Sequence, residues 1–120
     1  MRRMLAAVAV LTAPLATLGA QAKRAFTPAD WYKLTTLSAP AMSPDGGRVA
    51  FTVQTINERD NKYHREVWVA PTSGGAATRF TSPSTESNNP RWSPDGKYLI
   101  FTSNRPGGRG ATWMLRMEQP

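Results

Sequence analysis

Two stretches of this chain carry apolar residues on both sides of a period-two pattern, and that pattern sets its organisation. Val49, Phe51 and Val53 fall on one side of a period-two run with Ala50 on the other; fifty positions later Tyr98, Ile100 and the less apolar Thr102 alternate with Leu99 and Phe101. Apolar residues on both sides predict strands buried on both faces. Each strand follows the same four residues, Ser43-Pro44-Asp45-Gly46 and Ser93-Pro94-Asp95-Gly96. Proline presets φ for a type I turn, Ser or Asp can bond nearby backbone, and glycine accepts the positive φ that often follows, so each copy predicts a tight hairpin turn.

The flanks divide into further short strands. Ser38 to Met42 predicts a first strand, with Pro40 tolerable near a strand start or edge. After the first turn the strand Arg48 to Thr55 leads to a polar, charged tip from Ile56 to His64, and Arg65 to Ala70 predicts a third strand. Gly74-Gly75 marks a turn, and Ala77 to Thr81 is expected to close the sheet. Ser82 to Asn89 has the composition of a crossover loop. Pro90 to Trp92, Lys97 to Ser103 and Ala111 to Met117 repeat the first three strands, with Trp113 answering Trp68. Before the repeats, Thr27-Pro28-Ala29-Asp30 has the form of a helix start, with threonine as cap, proline in the first turn and an acid at the third position. The helix is expected to run through Leu34, with Trp31 and Leu34 packed on the body.

A period of 40 to 50 residues, roughly, with several strands per repeat is the spacing of β-propeller blades, each a small antiparallel sheet that buries its faces against its neighbours. The expected fold is all-β: about one and a half blades, truncated, preceded by a signal peptide and a short helix. The boundaries read as 1–22 signal peptide, 23–37 linker and helix, 38–81 blade one and 82–120 an incomplete blade two. Two blades cannot close a ring, so the chain is expected to be the N-terminal part of a longer protein.

Charge and composition narrow the function. Met1-Arg2-Arg3, the apolar run Met4 to Leu18 and Ala20-Gln21-Ala22 have the n-region, h-region and small-x-small site of an export signal, cleaved after Ala22. The alternative is an uncleaved anchor, against which stand a short apolar run and Pro14. Export to the periplasm or the medium is expected, with no stable membrane span after cleavage. Of the net charge of +7, Arg2 and Arg3 carry two and the remainder is dispersed among acids, as in Asn57-Glu58-Arg59-Asp60-Asn61-Lys62. No phosphate-tracking stripe results, so nucleic acid is not an expected partner. The absence of cysteine excludes disulfides, thiolate nucleophiles and cysteine-based zinc sites.

Candidate chemistry is thin. His64, the single histidine, is expected in a solvated loop without an activated nucleophile. Ser43 and Ser93 occupy twin turn positions, and Asp45 and Asp95 provide one acid per turn where calcium needs alternating oxygen ligands. Trp68, Trp92 and Trp113 are expected to pack between blades rather than stack on a ligand. Glu58, Asp60 and Glu66 read as a solvated rim that could instead meet a substrate amino group. No residue is assigned a catalytic, cofactor-binding or metal-binding role, and no cofactor is expected.

Three pieces together, the opening Thr27-Pro28-Ala29-Asp30-Trp31-Tyr32-Lys33-Leu34, the two Ser-Pro-Asp-Gly turns with their aromatic strands, and Val67-Trp68-Val69, resemble the N-terminal propeller of prolyl oligopeptidase family serine peptidases. The acylaminoacyl peptidase and dipeptidyl peptidase branch is the nearest in kind. The resemblance implies a propeller that restricts access to an α/β-hydrolase domain, in which a Ser, His and Asp triad cleaves short peptides. The Gly-x-Ser-x-Gly elbow of such a domain does not occur in these residues, so peptide substrate is expected to be handled by a domain outside them. The alternatives are a non-enzymatic periplasmic propeller of the Tol-Pal type, acting as a binding module, and an independent interaction domain.

Overall fold

A computed structural model describes residues 23–117 except Pro106, so the export segment expected at residues 1–22 lies outside the described residues. The order is α1 (Pro28–Trp31), β1 (Thr36–Met42), β2 (Arg48–Asn57), β3 (Lys62–Pro71), β4 (Thr78–Arg79), β5 (Ser87–Trp92), β6 (Tyr98–Ser103) and β7 (Ala111–Arg116). The first four strands form one antiparallel sheet in the order β1-β2-β3-β4, and the last three a second in the order β5-β6-β7. All-β propeller blades are therefore what the alternating stretches build.

The repeated turns fold alike. Ser43 Oγ donates to Asp45 Oδ1 (2.5 Å) and accepts the Arg48 N–H (2.9 Å), while Asp45 Oδ1 also accepts the Gly47 N–H (3.0 Å). Ser93 Oγ has the same bonds to Asp95 Oδ1 (2.5 Å) and from the Tyr98 N–H (2.9 Å). Gly46 and Gly96 sit at φ of 71° and 70°, the left-handed region that a side chain would oppose. The Ser43 and Ser93 hydroxyls hold Asp45 and Asp95 below the usual carboxylate range.

A second repeated feature was not read from the sequence. In both first strands the register slips, between Ser38 and Ala41 and between Asn88 and Arg91, around residues at positive φ, Ala39 (50°) and Asn89 (52°). Each precedes a proline, Pro40 or Pro90, which lacks an N–H and sits within the bulge without leaving a ladder donor unpaired.

Each sheet has two unlike sides. On blade 1, Ala50 pairs with Val69 and Thr52 with Val67, making one side; Phe51 pairs with Trp68, Val49 with Ala70 and Leu37 with Val53 on the other. On blade 2, Leu99 pairs with Leu115 and Phe101 with Trp113, and the opposite side carries Ile100 beside Met114. The Ala50 side of blade 1 packs on the Phe101 side of blade 2. Ala50, Val67, Val69, Leu99, Phe101 and Met117 form one buried cluster, flanked by Phe80, Trp92, Trp113 and Leu115. Burying such side chains stabilises by about 1.5–3 kcal/mol each. The expectation of strands buried on both faces holds for one face only: Ala50 and Thr52 are buried, whereas Val49, Phe51 and Val53 are half-buried.

Three local expectations are corrected. The charged tip shrinks to Glu58–Asn61, because Thr55, Ile56 and Asn57 continue pairing with His64, Tyr63 and Lys62. A backbone ladder needs no apolar side chains, and Asn61 at φ 49° turns the chain tightly. The closing strand shortens to Thr78–Arg79, since the Thr81 hydroxyl, not a backbone carbonyl, accepts the Val67 N–H (3.0 Å). The helix ends at Trp31 rather than Leu34, and Trp31 and Leu34 are exposed at 49% and 42%. One helical turn cannot present a stripe to the sheet. It is held by Asp30, whose carboxylate takes the Arg24 guanidinium and the Thr27 N–H (2.9 Å).

Candidate functional site

The two ends of blade 1 differ in chemistry. At the end carrying the repeated turns, Ser43 and Ser93 are buried and committed to their aspartates and following amides. His64 pairs with Thr55, seven residues along β2 from the Arg48 rung, or about 23 Å at strand rise. No serine hydroxyl of these turns is within reach of that imidazole. The turn reading of Ser43, Ser93, Asp45 and Asp95 agrees with the bonds they make.

His64 is not in a solvated loop. It lies in β3, half-buried, with Nδ1 2.6 Å from Glu86 Oε1 and Nε2 3.3 Å from Glu66 Oε1. Carboxylates accept only, and a neutral ring has one N–H to give. Glu86 also accepts the Arg65 N–H through Oε2 (3.0 Å), while its own N–H goes to Asn104 Oδ1 (2.9 Å). Glu86 thereby ties β3 of the first blade to the β6–β7 loop of the second. Beside it opens a cleft of ≈ 450 Å³ whose lining includes Ile56, Asp60, Tyr63, His64, Pro83 and Glu86.

Glu66 is likewise no rim residue. Its side chain, 12% exposed, takes the Trp68 Nε1–H (3.1 Å) and Arg79 (3.4 Å) on the outer side of blade 1. Glu58 and Asp60 are exposed in the hairpin turn, where Asp60 accepts from Asn57 Nδ2 (3.2 Å). The tryptophans divide. Trp92 and Trp113 flank the cluster between the sheets, whereas Trp68 faces outward, away from blade 2. Trp92 Nε1 donates to the Ala41 carbonyl across the interface (3.0 Å), and the Arg48 guanidinium lies 4.9 Å from its ring centroid. At the place of Glu66 blade 2 has Ala111, and Trp113 Nε1 is buried without a partner.

Sequence reasoning missed the Glu86 tie and the Arg48–Trp92 contact, because both join residues far apart in the chain. Among the described residues, no cluster of three or more His, Cys, Asp or Glu side chains is arranged for a metal ion, and no helix is long and apolar enough to cross a membrane.

Two antiparallel sheets stacked face to face, each opened by the same bulge and the same hairpin, are successive blades of a propeller. No protein-family model matches the chain. It is 30% identical over 96 residues to the uncharacterized peptidase YuxL of Bacillus subtilis, covering 80% of this chain and 15% of that protein. It is 31% identical over 81 residues to dipeptidyl-peptidase 5 of Porphyromonas gingivalis, covering 68% of this chain and 12% of that protein. The acylaminoacyl peptidase of Pyrococcus horikoshii superposes with a TM-score of 0.61 at 23% identity, over 73% of this chain and 13% of that one. The chain matches a propeller segment of prolyl oligopeptidase family peptidases, and it spans a small part of the relatives' length.

Proposed function

We propose that these blades belong to the propeller of an exported serine peptidase and that this propeller restricts entry of peptides to an α/β-hydrolase domain lying outside the 120 residues. The observation that carries the reading is the similarity to peptidases over 80% of the chain, combined with blades whose turn serines and histidine are engaged in structural bonds. Chemistry is then a property of another domain. The role of the blades is to build a rigid wall, and a rigid wall selects substrate by size rather than by reaction.

The test uses the protein expressed with its whole coding region. Labelling of a serine by a fluorophosphonate, cleavage of short peptides and sparing of a folded protein substrate are the expected results. Loosening the wall by Leu99→Ala should raise cleavage of longer peptides relative to short ones. Absence of both labelling and cleavage would refute the peptidase reading and leave a binding module of the Tol-Pal type. Export is checked separately by N-terminal sequencing of the periplasmic or secreted protein, with Lys23 as the expected first residue.

A further inference from the structure

The first strand of each blade carries the same interruption along an unpaired edge. β1 and β5 each pair on one side only. Ala39 and Pro40 together stand opposite Phe51, and Asn89 and Pro90 opposite Phe101, two residues against one. The seven residues of β1 and the six of β5 are thereby cut into ladder pieces of two or three, Thr36–Ser38 and Ala41–Met42 in one, Ser87–Asn88 and Arg91–Trp92 in the other. Donors are missing at the cut as well. Proline has no N–H, and the Asn89 N–H donates sideways to the Thr52 hydroxyl of blade 1 (3.3 Å). Both cuts lie side by side, around a hollow of ≈ 90 Å³ lined by Ala39, Pro40, Ala41, Asn89, Pro90 and Arg91.

These edges lie where the blades converge. β5 lies against β1, β2 and β3, Trp92 Nε1 reaches the Ala41 carbonyl, and the crossover after β4 brings the chain from the far edge of blade 1 back to β5. In a propeller, neighbouring blades cover the faces of each sheet, whereas the converging edges border the central channel. Further blades of the same chain would leave them open. An unbroken strand at such an edge is a template on which an extended peptide can add a strand through backbone hydrogen bonds.

We propose that the repeated bulge keeps the channel-side edges from pairing with extended peptide. A peptide moving along this wall meets ladder pieces shorter than the usual strand of about 5–6 residues, separated by a place without donors. The value of this to a protein that handles peptides rests on the peptidase reading. The backbone property does not, and it is measured without turnover.

Deleting Pro40 and Pro90 returns both ladders to one residue against one; the protein is expressed with its whole coding region and treated with a fluorophosphonate. Pro40→Thr with Pro90→Thr is the milder variant, which restores an N–H at each place. Fluorescence anisotropy gives the affinity for a labelled peptide of alternating threonine and valine, and for the same peptide N-methylated at every second residue, which cannot join a ladder. Preference for the plain peptide should rise about fivefold in the threonine variant, as one net hydrogen bond implies, and about tenfold or more in the deletion variant. An unchanged preference in a deletion variant whose Val67 and Leu99 amides stay protected from exchange overturns the proposal. Where that protection is lost, an unchanged preference in the threonine variant overturns it. Failure of the fluorophosphonate to label bears on the peptidase reading alone.

Discussion

Trp92→Phe tests how the two blades are held together. The substitution keeps most of the ring in the cluster but removes the Nε1–H that donates to the Ala41 carbonyl across the interface at 3.0 Å. A net hydrogen bond of this kind contributes about 1 kcal/mol. Exchanging indole for phenyl under the Arg48 guanidinium, 4.9 Å from the ring centroid, weakens a cation–π contact of roughly 0.5–1 kcal/mol. The expected cost is therefore about 1.5 kcal/mol. Urea unfolding followed by circular dichroism gives the number. Repeating it in an Arg48→Met background isolates the cation–π share, since residues in contact show coupling that distant ones lack. The hydrogen-bond part should persist in that background and the remainder vanish. A neutral Trp92→Phe, or a cost unchanged by Arg48→Met, would refute this account of the interface.

Gly96→Ala should cost about 1 kcal/mol because its φ of 70° opposes a side chain, whereas Gly47→Ala, whose new carbon would meet only the Asp45 carboxylate at 3.5 Å, should fall within about 0.5 kcal/mol of the parent; thermal melts of the two decide. Glu86→Ala leaves the Arg65 amide without its acceptor and His64 with Glu66 as its only carboxylate partner, and should speed hydrogen exchange at Arg65 while costing about 1–3 kcal/mol. Asp30 is held below the usual carboxylate range first by the Arg24 guanidinium and then by Thr27, and Asp45 and Asp95 first by their serine hydroxyls. A depressed folded pKa means that the stabilisation is present above the unfolded value of about 4 and is lost as pH falls through the lower folded values. Melting temperature should accordingly drop on acidification below that point, and Asp45→Asn with Asp95→Asn should flatten the acid limb; an unchanged slope would sink the argument.

The turns were legible because their chemistry is local: a serine, a proline, an acid and a glycine within four residues dictate the bonds among themselves. The alternating strands were legible for the same reason, since period two needs only neighbours. The sidedness was not. Ala50 is fully buried and Phe51 only half, an ordering opposite to their sizes, because burial here depends on which side another sheet covers. Composition misplaced His64 in the tip and misjudged the exposure of Glu66 for a related reason. Charged residues read as loop or solvated rim, yet His64, Glu66 and Trp68 share one side of β3, where Glu66 meets Trp68 and Arg79. The cleft beside Glu86 could not be foreseen from spacing, as it joins a hairpin to a crossover some distance further along the chain.

The bulge before each blade's first turn bears on how the two copies have diverged. Asparagine at position 89 tolerates the left-handed backbone, whereas Ala39 bears it at a cost of about 1–2 kcal/mol. Both prolines remain, and so does the kink. What duplication has handed down is a path in space, to which the letters of each copy have adjusted with unequal comfort; placing asparagine at position 39 would let the first copy follow that path as easily as the second.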